Sequence, residues 1–348
     1  MQGKVLNIDK QIREGVQCLK NGGIVGFPTE TVFGLGAKAD DVDAVAKVYS
    51  VKSRPQGHPL ILHLSKLDEA SDWVEEIPRA AHKLAKAFWP GPLTLVLKAK
   101  SNVANHFSGN LETIAIRVPS HSIARALIIG LGSGIVAPSA NRFGRLSPTS
   151  ASDVFEELGG KVDLIIEAES CSIGIESTIV DLTEDRPVIL RPGIIDQEKI
   201  SMVLGEDVVE RVSKTNKAPG SHPVHYAPNT PLTIVYRDQL EKFLHKDTNG
   251  LSVAVLGRSI RPQFSGAAVW QVAPTDSLPY AKNLYSLLRR LDNSGCELIA
   301  VEEPPYSGEW MAVHDRLKKS SIPKMALLEF IRNVKDKKLK NIHHGTNK

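Results

Sequence analysis

Four stretches of the 348-residue sequence set hydroxyl, cationic and imidazole side chains beside short apolar runs, where strand ends and loops can present them to a ligand. The first is Pro28-Thr29-Glu30-Thr31-Val32-Phe33-Gly34-Leu35-Gly36, directly after the apolar run ending at Phe27. Its threonines can contact a ligand or simply cap a helix. The second, Lys52-Ser53-Arg54-Pro55-Gln56-Gly57-His58-Pro59-Leu60, puts two cations two residues apart in a Pro/Gly loop. Such a pair can converge on a polyphosphate, lysine as a point charge and arginine as a fork, or stand as a solvated basic loop. His63 follows inside an apolar run, where a core histidine is the simpler reading. The third stretch, Ala137-Pro138-Ser139-Ala140-Asn141-Arg142-Phe143-Gly144, spaces Ser139 and Asn141 by two after a strand pattern. Open α/β sheets bind ligands at that end of a strand, although a local turn accounts for Pro138 and Gly144 equally well. The fourth runs from Gly174 to Asp181 and on to Ile189-Leu190-Arg191-Pro192-Gly193, and Arg117 joins it from Ile114-Ala115-Ile116-Arg117-Val118-Pro119. Two in-strand arginines, each closely followed by proline, read as groove residues.

Covalent and cofactor devices are missing from the sequence. Walker A is absent, and Gly130-Leu131-Gly132-Ser133-Gly134 lacks its lysine and reads as a turn. Phosphate contacts therefore fall to side chains. No Ser-His-Asp or Cys-His arrangement for nucleophilic catalysis is visible. Cys18, Cys171 and Cys296 are odd in number and far apart, so neither a zinc knuckle nor a disulfide framework is indicated, and a reducing cytosol fits. No apolar run is long enough for a membrane span, and the first residues lack a signal-peptide pattern. The expectation is a cytoplasmic, soluble protein without membrane partners.

Those residues need strands and helices to position them. The periodicity predicts helices over 9–20, 42–51 and 80–88, and strands over 24–27, 60–64, 93–97, 114–118, 135–137, 164–167 and 177–182. Short, polar-flanked strands imply a mixed sheet. From Glu206 to Pro231 the density of Pro, Gly and Ser marks a linker, though His225 and Tyr226 are unusual for a spacer. The pattern restarts at Leu232 as a small Rossmann-like domain, with strands over 232–236, 252–256, 267–271 and 298–302 and helices over 239–245, 280–291 and 310–318. It lacks GxGxxG, so dinucleotide binding is not supported. Residues 333–348 form a basic tail expected to be disordered; setting aside its five Lys and one Asp leaves 38 basic and 38 acidic residues. The body is neutral, which argues against a large sequence-independent grip on nucleic acid.

Taken in order, PTETVFGLG, KSRPQGHPL, TIAIRVP, PSAN with SPT, GIESTIVDL and LRPG resemble the YrdC-like threonylcarbamoyl-AMP synthases over roughly residues 8–200. The linker SHPVHYAP and the domain after it resemble the two-domain form, to about residue 330. Phe33 stands where the family often has Tyr, and PGSHPVHY where PGMKYRHY is more usual. The resemblance implies an α/β fold: a YrdC-like twisted mixed sheet with a concave groove over 1–205, a linker over the active site at 206–231, and a smaller Rossmann-like domain at 232–332. It implies synthesis of L-threonylcarbamoyl-AMP from L-threonine, bicarbonate or CO2, and ATP, with release of pyrophosphate. The product would pass to a tRNA threonylcarbamoyl transferase complex for t6A at position 37 of tRNAs that read codons starting with A.

By the same resemblance Lys52 and Arg54 would act on the triphosphate, with His58, Thr113, Asn141, Thr149 and Arg191 completing the ATP site. His225 and Tyr226 would reach ATP from the linker. Thr31, His63, Arg117 and Ser177 would hold threonine, Arg117 pairing its carboxylate, and Ser139 would serve either ligand. Mg2+ is expected to be held through phosphates and water rather than by protein ligands. A reading from another class is weak RNA binding on a concave, partly basic surface, lowered by the neutral body and by 5% aromatic content. Hydrogenase-maturation carbamoyl transfer is set aside because its zinc-ligating cysteines are missing.

Overall fold

A computed structural model of the chain describes residues 7–55, 57–101, 105–109, 111–210, 225–248, 250–261 and 266–345. The chain forms two compact units: Met1–Phe143 with Ser147–Pro223, and Gly144–Leu146 with Val224–Lys348. Residues 211–224 of the expected linker lie outside the described residues.

The first unit begins with α1 (Ile8–Lys20), capped by the Asn7 side chain accepting from the Lys10 amide, and β1 (Val25–Phe27). β2 (Gly34–Lys38), α2 (Val42–Lys52), β3 (Ile61–His63) and α3 (Arg79–Phe88) follow. Then come β4 (Leu93–Lys98), α4 (Asn105–Ser108), β5 (Thr113–Arg117), α5 (Ser122–Leu131), β6 (Ile135–Val136) and α6 (Ala151–Leu158). β7 (Leu164–Ile165), β8 (Thr178–Asp181), β9 (Val188–Arg191), α7 (Gln197–Leu204) and β10 (Val209–Glu210) complete it. Among the described residues the strands form one mixed sheet, ordered β10-β9-β8-β4-β5-β3-β6-β2-β1-β7. The mixed sheet is as expected. The sequence reading missed β2, because its Gly-Leu-Gly start reads as a turn.

Strand alternation decides what the sheet faces carry. On one face Leu62, Leu95, Ile114, Ile116 and Val118 join a large core with α2 and α3. On the other, Ile61, Val96, Ala115 and Ile179 form a small separate apolar patch. Two residues further along the same strands, on that second face, stand His63 and Arg117. Their Cα atoms are paired across the parallel β3–β5 ladder. The patch is thus the floor of a surface whose end is polar.

The second unit holds a four-stranded parallel sheet of β11 (Leu232–Val235), β12 (Val253–Gly257), β13 (Val269–Val272) and β14 (Leu298–Glu302), ordered β11-β14-β12-β13. Its helices are α8 (Leu240–Lys242), continued by a wide π-type turn over Phe243–Asp247, then α9 (Ser277–Asp292), α10 (Met311–Ser320) and α11 (Lys324–Gly345). Val253, Val255, Leu298 and Ala300 pack with Leu327 and Ile331 of α11. Of the tail expected to be disordered, residues 333–345 continue this helix, and 346–348 lie outside the described residues. No proline or glycine interrupts it before Gly345, and lysine is a good helix former.

Candidate active site

Arg117 organises one cluster. It is 3% exposed, and its Nη1 donates to Thr31 Oγ1 at 2.9 Å while Nη2 lies 2.7 Å from Glu30 Oε1. Its Nε donates to the Gly91 carbonyl at 3.3 Å. Thr31 is held in turn by Thr29, whose hydroxyl lies 2.8 Å from Thr31 Oγ1 and donates to the Val32 carbonyl at 2.6 Å. Burial pushes the Glu30 carboxyl up, but the Arg117 charge, its hydrogen bond and backbone amides outweigh that and hold it below the usual range. Burial, then the Arg117 charge, push His63 down to about 3, so its imidazole is neutral and a poor base. His63 Nδ1 lies 3.1 Å from the Ile61 carbonyl, and its ring meets Phe27 edge-on.

Ser177 adjoins this cluster through the β4–β5 and β4–β8 ladders. Its hydroxyl lies 2.7 Å from Thr94 Oγ1 and accepts from Arg191 Nη2 at 3.1 Å. Arg191 Nε also donates to the Ser177 carbonyl at 3.0 Å. Arg191 thus stands with the threonine set rather than apart from it, and both arginines are fixed by their neighbours before any ligand arrives.

A second cluster forms where α2 ends. Ser53 takes the left-handed conformation, φ 52°, at the helix terminus and turns the chain into the Arg54 loop. Lys52 is fully buried: its Nζ donates to the carbonyls of Ser139, at 2.6 Å, and of Asn141. Burial and the adjacent Arg54 charge lower its pKa well below the ordinary lysine value. Arg54 Nη2 donates to the Pro59 carbonyl at 3.0 Å, and its guanidinium lies 5.5 Å from the centre of the Phe143 ring. His58 meets the same ring at 5.2 Å. The Lys-Ser-Arg loop and the Pro-Ser-Ala-Asn loop are therefore one packed structure, and Asn141 Nδ2 donates to the Arg142 carbonyl at 2.8 Å.

The two clusters are joined by backbone. Gly34 bridges Ser139, the Phe33 amide donates to the Pro148 carbonyl, and the Gly174 amide donates to the Thr31 carbonyl. Thr149 shares Asp153 Oδ2 with the α6 cap, through its amide at 2.8 Å and its hydroxyl at 3.2 Å. Thr113 opens β5, about 13 Å from Arg117 at the usual rise per residue. It is placed at the Pro59 end of the parallel ladder, beside the Arg54 loop rather than beside Arg117. His225 and Tyr226 belong to the second unit, where the buried Tyr226 ring lies against Tyr285, at 5.9 Å, and Arg316, at 5.3 Å.

Sequence reasoning passed over Glu30, Thr94, Phe143 and Asp153. Glu30 stood inside a quoted motif but its partner lies 87 residues away, and no local signal names such a pair. No group of three or more His, Cys, Asp or Glu that could cage a metal occurs among the described residues. No helix there is long and apolar enough to cross a membrane.

Comparisons with known proteins place the chain in a family. The Sua5/YciO/YrdC family model, described as telomere recombination, matches residues 17–193. A model described as the threonylcarbamoyl-AMP synthase C-terminal domain matches residues 195–321. The threonylcarbamoyl-AMP synthase of Pyrococcus abyssi is 39% identical over 334 residues, 91% of this chain and 97% of that one. That of Bacillus subtilis is 37% identical over 323 residues, 90% and 93% of the two chains. The crystal structure of P. abyssi Sua5 complexed with L-threonine superposes with a TM-score of 0.85, covering 91% of this chain and 96% of that one at 39% identity. A P. abyssi Sua5 variant with an adjacent histidine and tyrosine replaced by alanine gives 0.83, at 38% identity over 89% and 92% of the chains. With both halves matched in order, the chain belongs to the threonylcarbamoyl-AMP synthase family.

Proposed function

We infer that this chain condenses L-threonine, bicarbonate or CO2, and ATP into L-threonylcarbamoyl-AMP with release of pyrophosphate, the precursor for t6A in tRNA. The observation that carries this is the pair of adjoining clusters, one built on Arg117 with hydroxyls and one on Lys52 and Arg54, in a chain 39% identical to a synthase over nine-tenths of its length. In this reading Arg117 takes the threonine carboxylate, Thr31 and Ser177 its hydroxyl and amine, and His63 serves as a neutral recognition group. The amine captures CO2 as a carbamate, whose oxygen attacks the α-phosphate in line. Pyrophosphate leaves as the carbamoyl–phosphate bond forms. Such a transfer needs fixed charge and alignment rather than a covalent intermediate.

Lys52 and Arg54 would stabilise charge on the departing phosphates, with His58, Asn141, Thr149 and Ser139 shaping the nucleotide site, and Thr113 bordering it. Arg191 would reach toward the α-phosphate from beside Ser177. His225 and Tyr226 would also contact ATP. Mg2+ would arrive on the ATP phosphates, where it would neutralise phosphate charge. The product would go to a transferase acting on tRNA, and the reaction belongs in the cytoplasm.

The test is incubation with ATP, Mg2+, L-threonine and labelled bicarbonate, following label in the adenylate and pyrophosphate together. Threonine-dependent label that falls about a hundredfold or more with Lys52→Ala or Arg54→Ala supports the reading, because one such donor is worth about 2.7–4 kcal/mol. Pyrophosphate without labelled adenylate overturns it.

A further inference from the structure

A cavity of about 490 Å³ opens in the first unit at the carboxyl ends of β3 and β5. It borders Val118, which alternates onto the core face of the sheet, opposite the face carrying Arg117 and His63. It is therefore separate from the clusters above, and this inference does not rest on the proposed function. Its floor is apolar: Leu67, Ala85, Trp89, Pro90 and Val118. Its charged lining is of one sign, Lys66, Lys86 and Arg125 with His82, and no carboxylate lines it among the described residues.

Three features mark it as more than a surface dent. His82 and Lys86 are one turn apart on α3, so they flank the opening together. Trp89 is half-buried and its ring is fixed by Nε1 donating to the Leu93 carbonyl at 2.7 Å. Arg125 lines the cavity from α5 and makes no ion pair among the described residues. A guanidinium without an acidic partner can fork onto an anion in the cavity.

A bare anion would leave the tryptophan and proline floor against water, and an apolar ligand would leave Lys66, Lys86 and Arg125 without a counter-charge. Both demands are met by a molecule with a flat ring at one end and phosphate at the other. The volume lies within the range that encloses small ligands, about 300–1,000 Å³. We propose that this cavity binds a nucleoside phosphate unit, its base on Trp89 and Pro90 and its phosphate among Lys66, Lys86 and Arg125. Base stacking on an aromatic ring beside basic side chains is how single nucleotides are held whether they are free or part of a strand. The two sources share this chemistry and are separated by experiment.

The full-length chain is saturated with a non-hydrolysable ATP analogue and L-threonine, then titrated calorimetrically with 5′-AMP and with a 5′-phosphorylated tetraribonucleotide. One further equivalent of AMP is expected, weakened about tenfold by Lys86→Ala and again by Arg125→Gln, as loss of a charged hydrogen bond implies. Trp89→Leu should weaken it as well. If the tetranucleotide binds tighter than AMP, with a salt dependence that Lys86→Ala reduces, the natural source is an RNA strand. If it binds no tighter, the source is a free nucleotide. Absence of a further equivalent for both probes, or equal binding by wild type and variants, overturns the proposal. Lys66→Ala and Lys86→Ala change exposed side chains and keep the test valid should Arg125→Gln fail to fold.

Discussion

At the residue scale, the arginine expected to recognise a carboxylate is already paired with one. Glu30 neutralises Arg117 in the free protein and also fixes its plane, so an incoming carboxylate must compete for or share the guanidinium. Glu30→Gln keeps the shape and removes the charge. It should change the KM for threonine about tenfold or more while leaving the KM for ATP within about twofold, since a charged hydrogen bond is worth about 1.5–3 kcal/mol. Equal movement of both KM values would show Glu30 to be merely structural. His63 makes a second prediction. Its folded pKa, about 3, lies below the unfolded value of 6.5, so between those limits the unfolded chain binds the extra proton. Stability therefore falls as pH drops below about 6.5, by up to about 1.4 kcal/mol per pH unit from this group. Glu30 adds to the loss, because its lowered pKa gives stability that disappears as pH falls through the folded value. Melting of His63→Gln between pH 6.5 and 4.5 should be flatter than wild type; parallel curves would refute the buried neutral state.

At the scale of elements, glycines explain both what the sequence disclosed and what it hid. Gly193, the last residue of the LRPG motif, has no room for a side chain: a Cβ would sit 2.4 Å from the Thr178 amide nitrogen and 2.8 Å from the Ser177 carbonyl carbon. The motif reads as a turn in sequence, yet its glycine is there so that the chain can lie on Ser177. Gly193→Ala should therefore displace Ser177 and lower kcat/KM for threonine by about tenfold or more, a larger loss than its effect on melting would suggest. Unaltered kinetics would mean that the strand end simply shifts aside. Gly36 is the opposite case. A Cβ there would meet the Phe27 ring at 2.6 Å and Ile135 at 2.8 Å, so β2 must carry glycine to pack over the ring that touches His63. Strand propensity penalises glycine, which is why periodicity made this stretch a turn. Strands such as β4 and β14 were legible because their apolar runs suffice. The site's motifs were legible as residue types in order, but the pairing of Arg117 with Glu30 depends on topology that no local spacing encodes.

At the scale of the molecule, the two units do not divide the chain where its composition changes. Gly144–Leu146, which follows the Pro-Ser-Ala-Asn motif in the first half, belongs to the second unit. The Ala227 amide donates to the Gly144 carbonyl at 2.9 Å, Arg145 Nη1 to the Pro228 carbonyl at 3.0 Å, and Arg289 Nη2 to the Leu146 carbonyl at 2.7 Å. Arg145 also lies 3.7 Å from Asp292. In sequence these three residues lie between Asn141 and Thr149, two expected nucleotide contacts, and their hydrogen bonds are internal to the second unit. The second unit thus takes in three residues from the first half of the chain and holds them with its own backbone and arginines, a feature that its own sequence, lacking any phosphate motif, did not suggest. Arg289→Ala removes one of those bonds without touching either expected contact. The KM for ATP should rise by about fivefold or more, in line with about 1–3 kcal/mol for leaving a carbonyl unsatisfied, while the KM for threonine stays put. An unchanged KM for ATP, with the fold intact by circular dichroism, would show that the position of residues 144–146 does not depend on this bond.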